Sequence, residues 1–131
     1  MRNVDISTLK DKVIKEIRGL EPGSEEITFI TTDGYKYIMF HSQDCCESVS
    51  VDDVVGDVEC LLNTPIQIAE ERVSSDEPPS VSKWVDFSYT WTFYTLATVK
   101  GYVDIKWFGT SNGYYSESVD FLELEPQCFY N

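Results

Sequence analysis

Positive charge is what this sequence most lacks: ten lysines and arginines stand against 23 aspartates and glutamates, a formal net charge of −13 over 131 residues. A field of that sign repels phosphate backbones and anionic headgroups, so nucleic acid and membrane surfaces are poor direct partners. Histidine is scarcer still, with His41 alone. No glycine-rich phosphate loop or dinucleotide fingerprint is present, which argues against an ordinary nucleotide-dependent enzyme. The N-terminal MRNVDISTLKDKVIKEI holds no apolar run long enough for a signal peptide or a membrane span. Cytoplasmic placement is therefore expected, with Cys45, Cys46, Cys60 and Cys128 as thiols. These four lack the paired spacing of structural zinc, and neighbours such as Cys45 and Cys46 bridge only through a strained ring.

What is present is a globular composition, 42% hydrophobic and 14% aromatic, at a length that suits one domain spanning 1–131. Leu9, Val13, Ile14 and Ile17 recur at helical spacing and predict an amphipathic helix over 7–18, capped by Asp5 or Ser7 and closed by Gly19. Residues 26–31 and 35–40 are rich in β-branched and aromatic side chains, and Asp33-Gly34 between them predicts a hairpin. Val51, Val54, Val55, Val58, Leu61 and Leu62 predict a second helix over 50–62, with Ser50 and Asp53 as a capping box. A short strand is expected at 66–69 and a surface loop at 73–82. Residues 91–98, 102–108 and 115–124 predict a meander turning at Lys100-Gly101 and Ser111-Asn112-Gly113. The fold class expected is α+β: a mainly antiparallel sheet of five or six strands with one or two helices on one face.

Chemistry-bearing residues concentrate between His41 and Asn63, which includes the sole histidine, three cysteines and Asp44, Glu47, Asp52, Asp53, Asp57 and Glu59. His41, Asp44, Cys45, Cys46 and Glu47 offer donor atoms for a metal, though not at zinc-site spacing, and no metal or cofactor is assigned. A thiol nucleophile paired with His41 would want an electropositive setting, and these surroundings are acidic. The same side chains also suit packing against the following segment.

The stretches FHSQDCCESVSVDDVVGD, PIQIAEE and TWTFYTLATVKGYVDIKWFGTSNGYYSESV resemble the signature blocks of a family of small uncharacterised proteins from tailed bacteriophages, prophages and some bacteria. The resemblance runs from about residue 27 to 121 through HxxDCCESV and WxGxSNGYYSxxV patterns, and leaves the N-terminal segment outside. It implies phage or prophage origin without an activity. His41, Asp44, Cys45, Cys46, Glu47, Asn112, Tyr114, Tyr115 and Glu117 are the resulting candidates for a ligand or partner site, with Tyr94, Trp91 and Phe108 extending an aromatic surface.

The expected function is a non-catalytic phage accessory protein. It would bind a basic host protein through an acidic, aromatic surface and inhibit a defence or nucleic-acid-binding factor by charge mimicry; homo-oligomers are compatible with it. A small-ligand or signal-nucleotide binder and a metal- or thiol-dependent enzyme are the alternatives.

Overall fold

The computed structural model describes residues 2–42, 47–74, 88–111 and 117–126. The described residues form nine strands: β1 (Arg2–Asn3), β2 (Ile14–Arg18), β3 (Glu26–Thr31), β4 (Lys36–Phe40), β5 (Ser48–Gly56), β6 (Ile68–Ser74), β7 (Ser88–Thr98), β8 (Gly101–Ser111) and β9 (Asp120–Leu124). They build a five-stranded sheet in the order β1-β9-β4-β3-β2 and a four-stranded sheet in the order β5-β8-β7-β6, with every strand pair antiparallel. The inner faces share one core. Ile27, Phe29, Tyr37, Met39 and Phe121 of the first sheet join Val51, Tyr94, Leu96, Ile105 and Trp107 of the second. Trp107, fully buried, donates its indole N–H to Met39 Sδ at 3.1 Å across the gap. Each large side chain buried in this way stabilises by about 1.5–3 kcal/mol.

Two expectations hold. β3 and β4 form the predicted hairpin, with Gly34 at φ 92° in its turn, a backbone conformation that glycine adopts without strain. The Thr31 hydroxyl donates to Asp33 there and, with Lys12, holds that carboxyl below the usual carboxylate range. β7 and β8 pair along their whole length through a tight turn at Val99-Lys100, one residue before the predicted Lys100-Gly101, and Gly101 opens β8 opposite Thr98.

The α+β class is overturned. Among the described residues the helical structure consists of two 3-10 turns, Ile6–Leu9 and Val58–Leu61, and no helix lies on either sheet. The segment at 7–18 turns at Asp11, whose φ is 70°, and then enters β2, where a bulge between Ile14 and Glu16 shifts the register. An extra residue in a strand brings positions three apart onto one face. Ile14 and Ile17, paired with Thr31 and Phe29, therefore share a face at a spacing that looks helical. β5 repeats the device. Its bulge between Val51 and Asp53 leaves Val49, Val51 and Val54 opposite the inward residues Gly109, Trp107 and Ile105. The proposed caps change with it: Asp53 accepts from the Val54 amide next to it, while Asp57 caps the Val58–Leu61 turn by accepting from the Glu59 amide. Asp5 keeps its capping role, accepting from the Ser7 amide.

The meander also ends sooner than expected. β9 pairs with β4 and β1 in the first sheet and not with β8, so β8 and β9 are not the neighbouring strands the meander predicted, and Asn112 and Gly113 of the expected turn lie outside the described residues. The strand expected at 66–69 begins later and runs on to Ser74, taking in Glu70, Glu71 and Arg72. The rest of the predicted 73–82 loop lies outside the described residues.

Candidate functional site

Strand order gives the two signature blocks a common position. β1 to β4 belong to the first sheet, β5 to β8 to the second, and β9 returns to the first, so the described strands require two crossovers. The HxxDCCE segment makes one and the SNGYYSxxV segment the other. Both are tied at their ends by buried polar contacts.

His41 follows β4, and its side chain is 4% exposed. Its Nδ1 lies 2.7 Å from the Ser118 carbonyl oxygen and its Nε2 lies 2.9 Å from Glu47 Oε1, so one ring at the start of the first crossover is tied to that crossover's far end and to the end of the second. Glu47 precedes β5 and is buried in phase with Val49 and Val51. In the second crossover, Glu117 is buried and accepts from the Thr90 hydroxyl at 2.7 Å and from the Ser111 hydroxyl. Gly109 lets this segment approach: a Cβ there would stand 2.8 Å from the Glu117 carbonyl oxygen and 2.9 Å from its Cβ. The glycine of the WxGxS pattern is thus fixed by packing. Asp120, at the start of β9, accepts from the Ser42 amide at 3.0 Å and ties the crossovers again.

Of the residues singled out from the sequence, the structure brings His41, Glu47 and Glu117 into this buried neighbourhood. Asp44, Cys45, Cys46, Asn112, Tyr114 and Tyr115 lie outside the described residues. The sequence reading missed Thr90, Ser111, Ser118 and Asp120. A hint was present for Ser111, which alternates inward with Trp107 and Gly109 along β8. With both His41 nitrogens engaged and its ring buried, neither nitrogen faces solvent as a general base. Among the described residues no group of three His, Cys, Asp or Glu side chains is placed to hold a metal ion.

The aromatic surface lies elsewhere, on the outer face of the second sheet. Tyr94 is fully buried in the core and does not contribute to it. Trp91 and Phe108 pair across β7 and β8 with ring centroids 4.3 Å apart, and Tyr89 stacks on Phe108 at 5.9 Å. Lys106 Nζ sits 4.4 Å from the Trp91 centroid and 3.8 Å from Asp52, while Arg72 lies over Phe93. Further along, Ile68, Ala97 and Tyr102 form one row across β6, β7 and β8. Ile68 and Tyr102 are 43% and 55% exposed, and Val55 nearby on β5 is 51% exposed. Asp52, Asp53, Asp104 and Glu70 are interspersed on the same face.

Among the described residues no helix is long and apolar enough to cross a membrane. A family model described as a domain of unknown function (DUF7448) matches residues 7–121. Its match starts at residue 7, so it reaches into the N-terminal segment that the sequence resemblance left outside. Neither a curated protein nor a solved structure matches.

Proposed function

We propose a non-catalytic binding role for this chain, which belongs to the DUF7448 family. It acts as a phage or prophage accessory protein in the host cytoplasm, and engages a host protein bearing a basic surface. The observation that carries the reading is the outer face of the second sheet. Exposed Val55, Ile68 and Tyr102 stand there among Asp52, Asp53, Asp104 and Glu70 on a rigid two-sheet scaffold. Large apolar side chains in the open favour a protein partner, and the surrounding carboxylates select a cationic one. Inhibition of a defence or nucleic-acid-binding factor follows if this face occupies a surface that otherwise holds phosphate.

Two observations weigh against the alternatives. His41 is committed to Ser118 and Glu47, which withdraws the base that a thiol enzyme would need. A phosphorylated ligand would meet repulsion across a surface with so many carboxylates.

Affinity capture from host lysate tests the role, using the intact chain at low and at raised salt. One basic host protein should be retained at low salt and released as salt rises. Its retention should fall with Tyr102→Ala and Val55→Ala and persist with Ile38→Ala, an outward residue of the first sheet. Recovery of no partner at low salt, or equal retention by the Tyr102→Ala and Ile38→Ala proteins, would overturn the proposal.

A further inference from the structure

The outermost strands of a sheet leave one row of backbone donors and acceptors unpaired, and proteins commonly blunt such edges. The edge strands here are β1 and β2 in the first sheet and β5 and β6 in the second. Three of them carry a blunting device. β1 is two residues long. β2 is bulged between Ile14 and Glu16, and at its start the Asn63 amide donates to the Ile14 carbonyl at 2.8 Å. β5 is bulged between Val51 and Asp53, and the β2–β3 connection covers it there. The Gly23 amide donates to the Val51 carbonyl at 2.7 Å, and the Val51 amide to the Ser24 carbonyl at 2.8 Å.

β6 differs. It pairs with β7 over seven residues without a register shift, and it contains neither proline nor lysine. Among the described residues, the backbone bonds of residues 68–73 run to β7 alone. Its exposure is two-sided. Glu70 and Arg72 point to the outer face, Glu71 and Val73 to the inner face opposite Tyr94 and Thr92, and all four are exposed, Val73 by 60%. The first sheet therefore leaves this part of β6 uncovered, and the edge is open above and below to an added strand.

We infer that the β6 edge takes an extended, cationic segment of a protein partner as a fifth, antiparallel strand of the second sheet. This rests on the reading of a basic partner and adds how that partner docks. Charge decides the occupant. A second copy of β6 paired about Glu70, Glu71 or Arg72 would set that residue against its own copy on the two-fold axis, between chains of net charge −13 each. A foreign strand meets no such conflict when lysine or arginine stands opposite Glu70 and Glu71. Those two positions are consecutive in the partner and fall on opposite faces, while an apolar residue opposite Val73 covers that side chain. Read toward its C-terminus, the partner segment is apolar, any residue, then two cations.

Nuclear magnetic resonance titration of the intact, nitrogen-15-labelled chain with the peptide acetyl-Thr-Val-Thr-Lys-Lys-Val-Thr-amide tests the inference. Saturable shifts centred on β6 are expected, together with slowed exchange of those amides in residues 70–73 that exchange fast in the free chain. Two N-methylated forms of the peptide, one for each alternating set of its amides, separate main-chain pairing from charge. The form that blocks the row facing β6 should bind at least about tenfold more weakly, and the other should bind as the parent peptide does. Joint substitution Glu70→Gln and Glu71→Gln should weaken binding severalfold, whereas Glu25→Gln, an exposed carboxylate in the β2–β3 connection, should not. Tyr102→Ala should leave peptide binding unchanged, so the edge is read independently of the outer face and of any host protein. Absence of saturable binding would overturn the inference. So would equal binding by both N-methylated forms, or equal loss in the Glu25→Gln protein and the doubly substituted one, since each marks diffuse attraction of charge without an added strand.

Discussion

Because a carbonyl oxygen only accepts, His41 Nδ1 is the donor in its contact with Ser118, while Nε2 faces Glu47. That geometry makes His41 a tie between crossovers. His41→Ala withdraws the ring from a fully buried carboxylate, and should lower unfolding free energy in urea by about 3 kcal/mol. A loss below about 0.5 kcal/mol, the size of an ordinary surface substitution, would show that the tie is dispensable. Tyr37 and Tyr94 set a second residue-scale expectation. Burial, with Glu123 beside Tyr37 and Glu71 beside Tyr94, raises both phenols above their ordinary 10.0. A folded-state pKa raised above the unfolded one gives stability that is complete below the unfolded value and lost as pH rises past it. Stability should therefore decline above about pH 10. In an ultraviolet titration, two of the eight tyrosines should ionise only as the protein unfolds. Early, reversible ionisation of all eight would contradict the burial.

Among the elements, the hairpins were legible and the bulged strands were not. Asp33-Gly34 and Lys100-Gly101 announce local turns between strands that alternate cleanly, and both hairpins form. The sequences of β2 and β5 mislead because one extra residue converts a spacing of two into a spacing of three, which is also the helical step. The β-branched content of Val49, Val51, Val54 and Val55 was the signal that favoured strand. The candidate site was legible in part: the two family-like blocks were visible, whereas their meeting depends on β9 leaving the meander for the other sheet, a long-range pairing that no local pattern encodes. Far-UV circular dichroism should show a sheet spectrum without the paired helical minima. Hydrogen exchange should find the Val51 amide protected, since it donates to Ser24 O at 2.8 Å beside the bulge. A helical spectrum, or rapid exchange at Val51, would contradict the strand assignment of β5.

On the scale of the whole molecule, the fold closes through its last described strand. β9 lies between β1 and β4, and its Glu123 accepts from Arg2, 121 residues away, and from Tyr37. Deleting residues 120–131 should leave a chain without a cooperative thermal transition, because the first sheet then lacks an interior strand. A truncated chain that still melted cooperatively would show that β4 and β1 need no strand between them. The position of β9 also bears on how the protein is made. A ribosome delivers β1 to β8 first, so until residue 124 emerges the nascent chain carries an unfilled slot between β1 and β4, with backbone donors and acceptors exposed. Slow synthesis would prolong that interval, and crowding of neighbouring nascent chains would invite a strand from another copy into the slot. Yield in an expression host should consequently depend on temperature and on holdase chaperones more steeply than the stability of the finished fold would suggest.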